Sequence, residues 1–280
     1  FVWHHRRLIE NVPVNGTWWD NSSITVISDY DPEREEVYRR FNVYTRRRLT
    51  RRLATMCYEL GRRPWWINNM HVDWSFCQVS WHIENDFYVD NAAMTQMDQL
   101  SVDEFRAMCR IKRGIIHRLA SRGPEGTVEQ MRRMGRSQVG MCLLHDIGSY
   151  MWGGDKYSAP GMLKILEEKV GFFDGAEFVP YWRNEHMIDV KTAGVYASVY
   201  RGKDRAVIVV VNERREDLDV EFDITREILG GRRIKRFYDA ETGYALRPEW
   251  DREVRRRFWG EMKPGVFGMR AGAVRLFVVE

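Results

Sequence analysis

Apolar runs that end in polar residues alternate with stretches of helical periodicity through the first two thirds of the sequence. Residues 14–20 and 64–71 each begin apolar and end in Asp, Asn or His, a pattern that predicts two short strands. Between them, apolar residues recur every three or four positions and predict one long helix from Asp31-Pro32 to Gly61. A helix between two strands forms a β-α-β unit, which pairs its strands in parallel.

The same alternation continues as far as residue 182. Residues 78–84, 136–144 and 177–182 are predicted to form three further strands. A capping box that begins at Ser101 predicts one helix, and the periodicity of residues 158–170 predicts another. Strands that alternate with helices over this length are typical of an α/β fold with a parallel sheet.

The last third of the sequence has a different pattern, in which short β-type runs are separated by turn residues. The predicted strands are residues 195–200, 206–211, 218–224, 233–238 and 273–279. Closely spaced short strands with turn signals favour an antiparallel β-sandwich. We therefore predict two domains in an α/β protein: the C-terminal part of a TIM-type (β/α)8 barrel over residues 1–186, and a small antiparallel β-sandwich over residues 187–280.

Charge and hydropathy narrow the range of partners. The 280 residues include 44 basic and 40 acidic side chains, so the net charge of +4 gives no general reason to expect a nucleic-acid partner. Three arginine clusters, at residues 46–48, 51–52 and 255–257, are interpreted as solvated faces rather than phosphate-binding patches. No apolar run is long enough to span a bilayer.

The cysteines and the first residues indicate the context of the chain. Cys57, Cys77, Cys109 and Cys142 are far apart in sequence, which predicts buried thiols rather than a zinc site or a disulfide framework. The chain starts at Phe1, in a segment that resembles the end of an amphipathic helix, so we expect an N-terminal part of the same protein to precede it.

Polar residues follow the predicted strands at the positions where a parallel barrel builds its active site. Asp20, Glu84 and Asp86 are the candidate catalytic residues, because glycoside hydrolysis needs carboxylates that act as acid, base or nucleophile. The aromatic and polar residues nearby are candidates for binding substrate, since tryptophan rings pack on the apolar faces of sugars. They are Trp18, Trp19, Asn21, Asn69, His71, Trp81, His82, His145 and Asp146. The pattern predicts a carbohydrate substrate.

Each of these assignments has an alternative. Asp20 is also an ordinary turn residue, the tryptophans are also suited to a core, and Glu84 could form a structural ion pair. His71 and His82, with carboxylates nearby, could ligate a metal. Their spacing matches no metal-binding signature, so neither a metal nor a cofactor is predicted. No Gly-x-Ser-x-Gly sequence supports a serine nucleophile.

Four segments carry a family resemblance, namely residues 16–21, 66–71, 81–84 and 142–146. Together they resemble glycoside hydrolase family 123 and its relatives, over about the first two thirds of the chain. The resemblance implies a barrel enzyme of the β-N-acetylgalactosaminidase type or a related exo-glycosidase, in which the substrate's acetamido group is the nucleophile. It also implies a β-sandwich before the barrel and a small β-domain after it.

The resemblance further implies an Asp-Glu pair, in which Asp orients the acetamido group and Glu is the general acid and base. The matching positions in this sequence are Asp20 and Asn21. Because Asn cannot donate and recover a proton, we expect Glu84 or Asp86 to supply it. The sequence therefore predicts a glycoside hydrolase, with a non-catalytic glycan-binding protein and a metal-dependent hydrolase as the alternatives. It leaves the compartment open, and an extracellular or periplasmic location would suit a glycan-degrading enzyme.

Overall fold

A computed structural model of the chain describes most of its residues. The described residues are 2–12, 16–19, 26–41, 43–62, 65–69, 82–89, 93–109, 115–121, 126–149, 159–245 and 266–280. They fall into two compact units, Phe1–Asp86 with Ala107–His117 and Phe87–Arg106 with Arg118–Glu280. The structure is mixed α/β, with parallel and antiparallel strand pairs, which confirms the predicted class. The predicted domain boundary at residue 186 stays a prediction.

The first unit contains a parallel sheet, a hairpin and two helices. Its elements are α1 (Val2–Asn11), β1 (Gly16–Trp19), β2 (Val26–Asp31), β3 (Glu36–Phe41), α2 (Val43–Glu59) and β4 (Trp65–Asn69), and β5 (His82–Val89) and β6 (Ile115–Ser121) begin in it. The strand order is β1-β4-β5-β6, and β4 pairs in parallel with both β1 and β5. The predicted parallel pairing of the strands at residues 14–20 and 64–71 is therefore confirmed.

The long helix predicted from Asp31-Pro32 to Gly61 is only half correct. Residues 26–41 form an antiparallel hairpin, in which β2 and β3 pair from Val26 with Phe41 to Asp31 with Glu36. The Asp-Pro pair that resembles a helix start is also a strong turn signal, and the alternation that follows it suits a strand. Helix α2 begins only at Val43. It packs on α1 through the buried residues Ile9, Leu53, Ala54, Met56 and Cys57.

The second unit combines three helices with two antiparallel sheets. Its helices are α3 (Val102–Cys109, which begins in this unit), α4 (Val128–Leu144) and α5 (Ala159–Val170), and its first strand is the two-residue β7 (Gly148–Ser149). The remaining strands are β8 (Glu177–Val179), β9 (Ile188–Val190), β10 (Val195–Arg201), β11 (Ala206–Asn212), β12 (Leu218–Ile224), β13 (Phe237–Asp239), β14 (Val266–Met269) and β15 (Val274–Val279). Their sheet orders are β13-β15-β11-β10-β8 and β14-β12-β9.

The two antiparallel sheets share one apolar core. Val199 and Ile208 of the larger sheet belong to the same buried cluster as Phe222 and Phe267 of the smaller one. Every residue of β11 is buried, because its opposite face is covered by α4 and α5. Helix α4 approaches β15 so closely that a side chain at Gly140 would collide with Val274. The predicted strands at residues 195–224 and 273–279 are confirmed.

The strand predicted at residues 136–144 is wrong, because these residues form the second half of α4. The helix starts at a capping box in which Thr127 Oγ1 accepts a hydrogen bond from the Gln130 amide (3.2 Å) and Gln130 Oε1 accepts one from the Thr127 amide (2.8 Å). Its second half is buried almost all round. A helix buried on all sides has no amphipathic pattern, so its apolar run resembles a strand.

Of three other elements predicted for this unit, two helices are confirmed and one strand is confirmed in part. The helix that begins at Ser101 is confirmed as α3, and Ser101 and Glu104 form the expected capping box. The helix predicted at residues 158–170 is confirmed as α5. The strand predicted at residues 177–182 is confirmed only as β8, which pairs antiparallel with β10. None of the described helices has the length and apolar character needed to cross a membrane.

Two of the four cysteines predicted to be buried have described side chains. Cys57 and Cys142 are buried thiols, as predicted. Cys77 lies outside the described residues.

Candidate active site

The candidate site lies near the carboxyl ends of β1 and β4, where β4 pairs in parallel with both β1 and β5. Trp19, the last residue of β1, pairs with Asn68 of β4, and Asn68 pairs with Ile83 of β5. One level further along, Asn69 ends β4 and pairs with Glu84. Strand β5 continues from there to Val89. Glu84 is therefore at the edge where β4 stops, which in a parallel sheet is the edge that carries functional residues.

Some of the other predicted site residues lie at the end of a strand, one lies inside β5, and four lie outside the described residues. Trp18 and Trp19 end β1, Asn69 ends β4, and His82 begins β5 opposite Ile67. Asp86 lies two residues beyond Glu84 on β5. Asp20, Asn21, His71 and Trp81 lie outside the described residues.

The placement of Glu84 and Asp86 corrects the prediction in one respect. Residues 78–84 are predicted to form a strand that ends at Glu84, but β5 (His82–Val89) continues past Glu84 to Val89, and residues 78–81 lie outside the described residues. Both carboxylate residues are therefore inside the strand. They still lie at or beyond the end of the neighbouring β4, because β5 is longer in the carboxyl direction. Strands β1 and β5 flank β4, and two strand spacings separate their backbones by about 10 Å.

His145 and Asp146 do not follow a strand, as predicted, but terminate helix α4. Asp146 adopts the left-handed conformation (φ 55°), and the Ile147 amide donates back to the Cys142 carbonyl (3.0 Å). A left-handed residue followed by this back-bonded amide is the Schellman arrangement that ends many helices. The two residues precede β7 rather than follow a strand.

His145 is a buried packing residue. Its side chain is 6% exposed, and Nδ1 donates to the Met141 carbonyl at 2.9 Å. Its ring lies 5.0 Å from that of Phe105 and 6.0 Å from that of Trp182, measured between centroids. Burial lowers the pKa of His145 to about 4, so the ring is neutral at physiological pH. These contacts position a helix end and leave little surface for a ligand.

Two hydroxyls from β10, which the sequence did not indicate, complete this helix end. Ser198 Oγ donates to the Leu144 carbonyl and Tyr200 Oη to the Leu143 carbonyl, each at 2.7 Å. They satisfy carbonyls that a helix leaves without partners in its last turn. Burial raises the pKa of Tyr200 and of Asp146, whose carboxylate lies 3.4 Å from the Tyr200 hydroxyl. Ser198 and Tyr200 therefore anchor α4 on the larger sheet.

The helix-end role predicts a mild effect for Asp146→Gly. Glycine adopts positive φ without steric cost, so the free energy of unfolding should stay within about 1 kcal/mol of the parent value. Asp146→Val should lose about 1–3 kcal/mol, because a β-branched residue is strained in this conformation. Denaturant unfolding measures both values. If Asp146→Gly abolished glycan binding without a change in stability, Asp146 would be a ligand contact instead.

The described residues offer no metal centre. They contain no group of three or more His, Cys, Asp or Glu side chains arranged to hold an ion. His71, one of the two histidines considered for a metal, lies outside the described residues.

Comparison with known proteins gives a fold but no family. No family model matches the sequence, and no curated protein matches it. Among solved structures, a GH27 β-L-arabinopyranosidase from Geobacillus stearothermophilus in complex with arabinose matches with a TM-score of 0.55 and 10% identity. The match covers 100% of this chain and 61% of that enzyme. The chain has a glycoside hydrolase-like fold. It spans about three fifths of the length of the arabinopyranosidase.

Two further solved structures come from other glycoside hydrolases. A family 30 subfamily 8 xylanase from Clostridium acetobutylicum has a TM-score of 0.45 and 12% identity, covering 100% of this chain and 70% of its own. A maltogenic α-amylase from Thermotoga neapolitana has a TM-score of 0.41 and 10% identity, covering 99% of this chain and 64% of its own.

Proposed function

We propose that this chain is the C-terminal part of a glycoside hydrolase barrel followed by a small β-sandwich, and that the whole protein hydrolyses glycosidic bonds. The observation that carries the proposal is the strand register that sets Glu84 level with Asn69, the last residue of β4. The fold likeness to the arabinopyranosidase supports the architecture. Fold alone does not fix chemistry, so the proposal depends on the carboxylates at this edge.

The proposed roles follow from the positions of these residues. Glu84 is the general acid and base, and Asp20, which follows β1 in the sequence, orients the substrate or stabilises developing charge. Asp86 is the second candidate for the proton donor. The backbones of β1 and β5, about 10 Å apart, leave room for a sugar at the edge of the sheet where Glu84 lies. Trp18, Trp19 and Asn69, at the ends of β1 and β4, would contact the sugar.

The proton balance of the reaction defines what Glu84 must do. Its protonated carboxyl donates to the glycosidic oxygen as the bond to the anomeric carbon breaks. As that bond breaks, the acetamido oxygen of an N-acetylhexosaminide bonds to the anomeric carbon. Water then displaces the acetamido oxygen, and the Glu84 carboxylate takes the water's proton, which restores the starting state. Asp20 would hold the acetamido group in place. We propose this substrate type because of the family 123 resemblance.

The proposal is tested on the intact, full-length protein with a panel of aryl glycosides and glycan extracts. We expect turnover of at least one member, with aryl N-acetylhexosaminides as the first choice. Binding of a glycan without release of any product would favour a non-catalytic glycan-binding protein. Loss of activity after dialysis against a chelator, restored by metal, would favour the metal-dependent alternative.

A further inference from the structure

The outward side of α2 carries a stripe of basic and aromatic side chains that the proposed active site does not use. Tyr44, Arg48, Arg51, Thr55 and Tyr58 follow one another at intervals of three or four residues, so they share one side of the helix. Arg47 and Arg52 flank this stripe, and all seven residues are exposed. We call these seven residues the arginine face of α2.

The arginines of this face have no anionic partners within the described part of the chain. None of Arg47, Arg48, Arg51 and Arg52 forms an ion pair with a described carboxylate. The one acidic residue of α2, Glu59, is at its last position, where it interacts electrostatically with Arg6 of α1. An exposed helix face usually intersperses both signs of charge, so four unpaired cations on one face call for an explanation.

The arrangement also works against the stability of the helix. Arg47 with Arg51 and Arg48 with Arg52 are like-charge pairs four residues apart, and such pairs repel. The first turn of α2 contains no acidic residue, so positive charge accumulates at the helix end where the dipole is also positive. An anionic ligand that binds here would relieve both effects. Charge that lowers the stability of the free helix is better explained by a bound polyanion than by solubility.

Aromatic rings lie at both ends of the same stripe. Tyr44 is 78% exposed and Tyr58 is 62% exposed, so both rings are accessible to a ligand. Their positions are about 21 Å apart along the helix axis. Phenol rings stack on the apolar faces of sugars, and guanidinium groups bind carboxylate or sulfate in bidentate fashion. The face therefore combines the two kinds of contact that a charged sugar polymer offers.

We propose that the arginine face of α2 binds an acidic polysaccharide, one that carries uronate or sulfate groups, and holds it against the enzyme. The choice of a polysaccharide rests on the proposed glycosidase function. A nucleic acid is the rival occupant, and the net charge of +4 gives no general reason to expect one. The two proposals fail independently, since the arginine face and Glu84 lie on different elements.

The test uses the intact protein with two defined polyanions, heparin for sulfate and alginate for uronate, and neutral dextran for comparison. We expect one of the polyanions to bind with a steep salt dependence and to raise the melting temperature, and dextran to do neither. The double variant Arg48→Gln, Arg51→Gln should bind about tenfold or more weakly, and the slope of log affinity against log salt should fall by about two. Without ligand, its melting temperature should equal or exceed that of the parent.

The control is the double variant Arg226→Gln, Arg233→Gln, which makes the same change of charge at exposed positions of the second unit. It should bind the polyanion like the parent protein. Equal weakening in both double variants would overturn the proposal, since it would reflect net charge alone. Tighter binding of single-stranded DNA, or of anionic lipid vesicles, than of either polysaccharide would also overturn it. Binding that persists in Glu84→Gln separates the arginine face from the outcome of the proposed catalysis.

Discussion

Replacing Glu84 with Gln is expected to lower turnover of the best glycoside substrate by a factor of about 10²–10⁴, which is the usual contribution of a general acid and base. Glutamine has the same size and still forms hydrogen bonds, but it cannot release or accept the proton that the reaction transfers. The KM should change little, because the proposed substrate contacts at the ends of β1 and β4 are unchanged. Steady-state kinetics on the substrate identified by the panel measures both quantities.

Two further measurements make this prediction specific to proton transfer. A substrate whose aryl leaving group departs without protonation should lose less activity in Glu84→Gln than one with a poor leaving group. Asp86→Asn should have a smaller effect than Glu84→Gln on the poor substrate. If Asp86→Asn had the larger effect, the proton donor would be Asp86. Glu36→Gln, a matched change at an exposed strand position in the same unit, should leave kcat unchanged.

The sequence was sufficient to predict the parallel strand pairs of the first unit. A short apolar run that ends in a polar residue is a strong local signal, and Asp20 and Asn69 mark the ends of two such runs in the sequence. The β-strands of the second unit were predicted for the same reason, because β-branched runs such as Val207 to Val211 are separated by turn residues.

The elements that were predicted wrongly have local sequence patterns that suit a helix as well as a strand or a turn. The apolar run before His145 is a helix buried on nearly all sides, and such a helix lacks the periodicity that separates it from a strand. Asp31-Pro32 starts a turn in the β2–β3 hairpin, although the same pair also suits a helix start. In both regions tertiary packing decides the structure, and a single sequence does not report it.

The candidate site was predictable in type but not in geometry. The pattern of polar residues after predicted strands identified Glu84 and Asp86 as candidate carboxylates. The pairing of Glu84 with Asn69 depends on strand register, which local sequence does not determine. His145-Asp146 shows the converse error. The pair looked like a strand end because both helices and strands finish in polar residues, and only the hydrogen bond from Ile147 to Cys142 identifies a helix terminus.

Stability should fall steeply as the pH drops from about 6.5 towards 4, and His145 should account for about 3 kcal/mol of that loss. The ordinary pKa of a histidine is 6.5, and burial lowers that of His145 to about 4 in the folded protein. Between these values the unfolded chain binds a proton that the folded protein does not, so acid favours unfolding. The stabilising effect of the neutral ring is therefore fully present above pH 6.5 and is lost below it.

Two charged groups near His145 shift its pKa in opposite directions, and the net shift of the pKa remains downward. The nearby Arg106 guanidinium lowers the pKa of His145 and the Asp103 carboxylate raises it, but burial has the largest effect. The histidine is 6% exposed, so solvent screening is small. Protonation would place a second cation beside Arg106, which already stacks over the Trp182 ring at 4.4 Å. Acid should therefore loosen the contact between α3 and the end of α4 first.

Urea unfolding at pH 7 and pH 5 measures this contribution. At pH 5 the parent should lose about 2 kcal/mol more than His145→Gln or His145→Phe, because neither variant has a group that titrates in this range. The two variants differ in packing, since Gln can still donate to the Met141 carbonyl and Phe keeps the ring contacts. A loss that both avoid must come from protonation of His145. If all three proteins lost stability equally, the acid sensitivity would come from buried carboxylates such as Asp239. Burial raises the pKa of Asp239, but hydrogen bonds from Thr242 and Arg275 outweigh burial and lower that pKa in the folded protein.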